Sequence, residues 1–141
     1  HCISSAASDV YKRQKYYYFH NCVYESVWKD NRRRTKERYE INDIINKYSS
    51  DYKLIFVGDA TMAPYEITNA GGSIEHWNEE PGGVWIKRLC SHFTSVAWLN
   101  PIQDDHWDYT SSVCILRDLV EKRMFPLTLK GLEDAMSNLS K

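Results

Sequence analysis

The sequence predicts an α/β protein with a mostly parallel sheet covered by helices, and three observations point there. Leu54-Ile55-Phe56-Val57 is an unbroken apolar run, rich in β-branched and aromatic types and stopped by Gly58. That is how a strand buried on both faces of a parallel sheet reads, whereas a half-solvated strand would alternate. Ser95 to Leu99 is a second run of the same kind, closed by Asn100-Pro101. Around these runs apolar residues recur at helical spacing, so that the order after the first hairpin reads α, β, α, β, α, β, α. Strand–helix alternation with short buried strands is the pattern of a parallel sheet with helices on both faces.

Each element has its own signal. Lys15 to His20 is a dense aromatic run, Asn21-Cys22 suits a tight turn, and Val23, Tyr24, Val27 and Trp28 favour a returning strand. The polar stretch Lys29 to Arg38 reads as loop. Ile41, Ile44, Ile45 and Tyr48 recur at i, i+3, i+4 and i+7, an amphipathic helix ending near Ser49-Ser50. After Asp59 no strong periodicity returns until about Gly82, and unstructured connections longer than about 12–15 residues are uncommon and often functional. Ile86, Leu89, Cys90 and Phe93 mark the next helix, and Val113, Leu116, Leu119 and Val120, capped by Thr110 or Ser111, the one after. Met124 to Leu127 reads as a short edge strand, because Pro126 cannot donate to a ladder. Thr128 can cap a last helix with Leu132, Ala135, Met136 and Leu139 on one face.

At 141 residues, the chain has the size of one domain. Its 18 basic and 19 acidic residues nearly cancel, so nothing global points to nucleic acid or a membrane surface. The four cysteines, Cys2, Cys22, Cys90 and Cys114, show no C-x-x-C spacing; reduced thiols fit a cytoplasmic chain. No apolar run approaches the roughly 18 residues of a spanning helix.

Asp59, Asn100, Asp104 and Asp105 all follow strands expected to run the same way, so their loops should gather on one edge. The crevice beyond the carboxyl ends of the strands is where open α/β sheets bind ligands, and oxygen donors there suit a hard cation. Asp59 reads equally well as a turn aspartate capping Ala60-Thr61-Met62. His20, His76, His92 and His106 include no i, i+4 helical pair, so zinc is not indicated. Cys22 two residues from His20 invites a nucleophile–base reading, against which stands Cys22 as a small buried core residue. Gly71-Gly72 and Gly82-Gly83 lack the framework of a phosphate-binding loop.

Several stretches together resemble a known family: Tyr17-Tyr18-Phe19-His20-Asn21-Cys22-Val23-Tyr24-Glu25, Val27-Trp28-Lys29-Asp30-Asn31-Arg32-Arg33-Arg34, Phe56-Val57-Gly58-Asp59-Ala60-Thr61-Met62-Ala63-Pro64-Tyr65-Glu66-Ile67, His76-Trp77-Asn78-Glu79-Glu80 and Met124-Phe125-Pro126-Leu127-Thr128-Leu129. They are similar to bacterial von Willebrand factor A (VWA) domain proteins of the CoxE-like kind. The resemblance implies a Rossmann-like three-layer sandwich with a mostly parallel sheet. It also implies a divalent metal, Mg²⁺, at a metal-ion-dependent adhesion site that leaves a coordination position open for a partner's carboxylate. In such a site a D-x-[SG]-x-S loop, a threonine in a second loop and an aspartate in a third hold the ion. Asp59 matches the third-loop aspartate, and Thr35, a few residues early, is the hydroxyl nearest the threonine position. The implied function is a non-enzymatic interaction module, linked in related proteins to MoxR-type AAA+ ATPases. The alternative is a metal-assisted hydrolase or phosphatase using Asp59 with Asp104 or Asp105.

Ser4-Ser5-Ala6-Ala7-Ser8-Asp9-Val10-Tyr11-Lys12-Arg13-Gln14 resembles a translated sequencing adapter, so residues 1–14 are read as non-native. Residues 15–141 are then the C-terminal part of a single VWA-like domain, truncated at its N-terminus and lacking its first strand. The D-x-[SG]-x-S motif would lie upstream of Lys15. Ser4 to Gln14 should pack against nothing specific. The strands Tyr16–His20 and Leu54–Gly58 would lose the partner between them. They could close on each other, borrow the preceding residues as a surrogate strand, or fail to fold; direct pairing or an unfilled slot is expected. An exposed strand edge should leave the chain poorly soluble.

Overall fold

Phe56 and Trp98 stack at the middle of the sheet, with ring centroids 4.9 Å apart and planes at 19°. The computed structural model describes residues 2–6, 14–30, 37–72 and 77–141. In chain order the strands are β1 Cys2–Ala6, β2 Gln14–Tyr18, β3 Ser26–Trp28, β4 Arg38–Glu40, β5 Lys53–Val57, β6 Gly71–Gly72, β7 Trp77–Asn78, β8 Ser95–Asn100 and β9 Met124–Pro126. The helices are α1 Ile41–Lys47, α2 Pro64–Thr68, α3 Gly82–His92, α4 Ser111–Leu119 and α5 Leu129–Leu139, with a 3₁₀ turn at Asp104–Tyr109.

The main sheet has the order β4-β3-β2-β1-β5-β8-β9, and β6 pairs with β7 in a separate ribbon. The strands β5, β8 and β9 form a parallel set, Phe56 opposite Trp98 and Leu99 opposite Phe125. The chain is thus a mixed α/β protein with a three-strand parallel unit; the pairings β4-β3, β3-β2, β2-β1 and β1-β5 are antiparallel, so the main sheet is mostly antiparallel where a mostly parallel one was expected. Leu54, Phe56, Val96, Trp98 and Met124 project into the larger core, where Ile41 and Ile44 of α1, Ile86 and Leu89 of α3, and Val113 and Leu116 of α4 cover them. Ala97 and Leu99 project to the other face, against Ala135 and Leu139 of α5.

Two close approaches fix the helices. A methyl group on Gly82 would overlap the Cys22 thiol and the Val23 carbonyl, so α3 starts against the β2–β3 connection. A methyl on Gly131 would overlap the Pro126 carbonyl, so the first turn of α5 lies directly on the end of β9. Thr128 caps that helix as expected, its Oγ1 accepting the Gly131 N–H at 3.0 Å.

The structure corrects several expectations. The returning strand of the first hairpin starts at Ser26, and Phe19–Glu25 is a longer connection with Asn21 at φ 57°. Val23 has no exposure and packs in the core from that connection. Arg38–Glu40, where the end of a loop and the approach to the helix were expected, forms an edge strand paired with β3. The segment after Asp59 holds α2 and the β6–β7 ribbon, too short to show periodicity. The strand β5 is buried on one face only: Leu54 and Phe56 are buried, Ile55 and Val57 half-buried. On α5, Ala135 and Leu139 pack while Leu132 and Met136 stay exposed.

The slot between β2 and β5 is filled. Ser4, Ser5 and Ala6 pair with Tyr16, Lys15 and Gln14 on one side and with Ile55, Leu54 and Lys53 on the other, antiparallel to both. For Ser4–Ala6 and Gln14 this overturns the expectation of packing against nothing, and it also overturns the expectation that the slot is either closed or empty; residues 7–13 lie outside the described residues. The physical reason is that backbone N–H and C=O groups on two flanking strands must be paired, and an antiparallel strand of any composition can satisfy both ladders.

Candidate functional site

The carboxyl ends of β5 and β8 are tied by side chains of β8. Trp98 donates its indole N–H to the Gly58 carbonyl at 2.9 Å, and Asn100 donates its amide N–H to the Asp59 carbonyl at 3.0 Å. Asn100 has no exposed surface, and its Oδ1 accepts the Ile102 N–H at 2.9 Å. The backbone ladder continues one step past the strands, Gly58 N–H to Leu99 O at 3.1 Å. Asp59 therefore leaves the sheet at a fixed position, half-buried. Its Oδ1 accepts the Thr61 N–H at 3.0 Å, the turn-aspartate geometry. Ala60 follows at φ 60°, in the left-handed region, and Met62 N–H reaches Ser112 Oγ at 3.3 Å.

Asp104 and Asp105 sit exposed on the 3₁₀ turn, which Trp107 anchors by donating its indole N–H to the Ile102 carbonyl at 2.9 Å. They line a depression with Gln103, Pro126, Thr128 and Lys130. Asp59 is not part of that depression. Thr35 and His76 lie outside the described residues.

Among the described residues the remaining thiols and imidazoles do not assemble into a reactive set. Cys22 is buried, and burial, with a smaller contribution from the Glu66 charge, pushes its thiol up to about 12. His20 is exposed and tilted against Trp28, 5.7 Å between centroids. A thiol so far from ionising is a core residue, which is the bland reading of the pair. His92 donates to the Tyr48 carbonyl at 2.6 Å, and His106 lies exposed, 3.6 Å from Asp105. Among the described residues no group of three or more His, Cys, Asp and Glu side chains could hold a metal ion.

The described residues do not fit the Mg²⁺ site that the resemblance implies. A hard cation takes six or more oxygens, several of them here expected from a loop following the strand beside β5. That strand is β1, and it runs antiparallel, so Cys2 lies opposite Val57 while Ala6 lies opposite Lys53. Its carboxyl end leaves the sheet at the edge away from Asp59. Comparison with protein-family models, with curated proteins and with solved structures finds no match to this chain.

The sequence missed one cavity. About 390 Å³ in volume, it lies between the β2–β3 connection and α2, with Phe19, Tyr24, Trp28, Glu66 and Asn78 among its walls. The only sequence signal for it was the aromatic density of residues 16–28.

Proposed function

We propose that the chain is a non-enzymatic protein-interaction module of the VWA type, with a Rossmann-like arrangement. In this reading it acts in the cytoplasm as an adaptor for a MoxR-type AAA+ ATPase. The partner docks on the edge built by Gly58–Met62, Asn100–Ile102 and the Asp104–Tyr109 turn. One observation carries the reading: Asp59 is held at the carboxyl end of β5 by two buried β8 side chains, Trp98 and Asn100, beside a parallel neighbour. A rigid scaffold presenting carboxylates from its loops is suited to recognition. A hydrolase would need Asp59 and Asp104 or Asp105 around one cavity, and the depression holding Asp104 and Asp105 is completed by Gln103, Pro126, Thr128 and Lys130 instead. The free thiols of Cys22, Cys90 and Cys114 suit a reducing compartment, and among the described residues no helix is long and apolar enough to cross a membrane.

The test is binding of the 141-residue chain to a purified MoxR-type ATPase by biolayer interferometry. Saturable binding is expected, weakened by Asp59→Ala with the melting temperature held. Absence of binding, or identical binding by the variant, rejects the edge as the docking surface.

A further inference from the structure

The cavity between the β2–β3 connection and α2 shares no lining residue with the loops after β5 and β8, and its walls share one chemical bias. Asn78, on β7, is 6% exposed, and among the described residues its Oδ1 has no hydrogen-bond partner. A buried amide oxygen left unpaired costs about 1–3 kcal/mol, so the position suits a donor carried by a ligand. Glu66 lines the same cavity; one carboxylate oxygen accepts the Ala63 N–H at 3.1 Å, which orients the group from the first turn of α2. Phe19, Tyr24, Trp28 and Tyr65 supply aromatic surface. One of these rings already receives a cation: the Arg38 guanidinium lies 4.1 Å from the Trp28 centroid.

We propose that this cavity binds a small organic ammonium ion, whose N–H donates to Asn78 Oδ1 and whose charge is met by the Glu66 carboxylate. The volume of about 390 Å³ lies within the range of small-molecule sites. The Glu66 carboxylate in the wall favours that sign of charge. The Cys22 thiol and the Tyr24 phenol are both pushed up to about 12, by burial first and by the Glu66 charge in addition. An anionic ligand would meet the repulsion of the Glu66 carboxylate. Arg38 and His20, the basic groups among the wall residues, are both exposed, Arg38 lying over Trp28, while Asn78 is buried. Tyr24 spends its own hydroxyl proton on the Glu66 backbone carbonyl at 3.2 Å. Its oxygen therefore remains as a further acceptor.

The test uses the 141-residue chain and two probes of similar shape and opposite charge, 2-phenylethylammonium and 3-phenylpropionate. Binding is followed by calorimetry and by backbone amide shifts. The ammonium is expected to saturate, with shifts concentrated at Tyr24, Glu66 and Asn78, and the carboxylate to leave them unmoved. Glu66→Gln keeps an acceptor for the Ala63 N–H and removes the charge; Asn78→Ala removes the orphan oxygen. Each should weaken the ammonium about tenfold or more, the size of one charge-assisted hydrogen bond. If Asn78→Ala fails to fold, Asn78→Asp takes its place, and it should bind at least as tightly as the parent. No saturation by the ammonium, equal binding of the carboxylate, shifts located elsewhere, or an unchanged affinity in Glu66→Gln overturns the proposal.

Discussion

Asn100 donates its side-chain amide to the backbone carbonyl of Asp59 across 3.0 Å, joining β8 to the chain just beyond the end of β5. The same side chain accepts from Ile102, so one buried amide holds two departing loops at once. Replacing it by leucine, of similar size, would leave the Asp59 carbonyl and the Ile102 N–H without their partners. Each such group costs roughly 1–3 kcal/mol, so Asn100→Leu should lower unfolding stability by at least about 2 kcal/mol. Urea denaturation measures it, and an unchanged midpoint would show that water replaces both bonds.

Gly131→Ala tests the contact between α5 and β9. The added methyl would overlap the Pro126 carbonyl, a backbone atom that cannot move without breaking the end of β9. Alanine ordinarily favours a helix by about 1 kcal/mol over glycine. Here the expected sign is reversed, with a loss of about 1–3 kcal/mol from overpacking. A rise in melting temperature would mean that α5 shifts freely on the sheet.

Met136→Gln should be nearly silent, within about 0.5 kcal/mol, because Met136 is 60% exposed. Ala135→Leu, one position earlier, should destabilise by about 1–3 kcal/mol, because Ala135 is packed against Ala97 and Leu99. Thermal unfolding of the two variants side by side reads the orientation of α5. Equal effects would contradict it.

The protein should lose stability at alkaline pH through its buried thiols and phenol. Burial raises Cys22 to about 12 from an ordinary 9.0 and Cys90 to about 11 from the same value, and raises Tyr24 to about 12 from 10.0. A raised folded-state pKa means that the unfolded chain ionises first, so this stability is complete below about pH 9 and falls as pH climbs toward 11–12. Urea midpoints at pH 8 and pH 10.5 should show the decline, and Cys22→Ala should make it shallower. Iodoacetamide at pH 8 should leave Cys22 unmodified until the protein unfolds. Fast alkylation of Cys22 in the folded state would contradict the burial assigned to it.

Mg²⁺ titrated into this chain should give no saturable heat at Asp59, because β1 runs antiparallel to β5 and ends at Ala6, opposite Lys53 and away from Asp59. Saturable binding abolished by Asp59→Ala would require ligands arranged otherwise than in this fold.

Local signals in the sequence determined the parallel unit and most of its helices. The uninterrupted runs at Leu54–Val57 and Ser95–Leu99 became β5 and β8, Pro126 marked the edge strand β9, and Thr128 capped α5. Each of these follows from the chemistry of a few adjacent residues. Asp59 was legible as a residue leaving a strand end, since a glycine-terminated apolar run announces that position by itself. Tertiary structure alone decided whatever depends on residues distant in sequence. Ile55 and Val57 are only half-buried although their run is apolar, because α5 packs on Ala97 and Leu99 of the neighbouring strand. Cys2–Ala6 became a strand inside the sheet because β2 and β5 offered unpaired backbone on both sides, a demand that no composition of five residues encodes. The unpaired Asn78 oxygen is of the same kind: an asparagine on a two-residue strand looks like any surface amide until Glu66 and Tyr24, brought from elsewhere in the chain, line the same cavity.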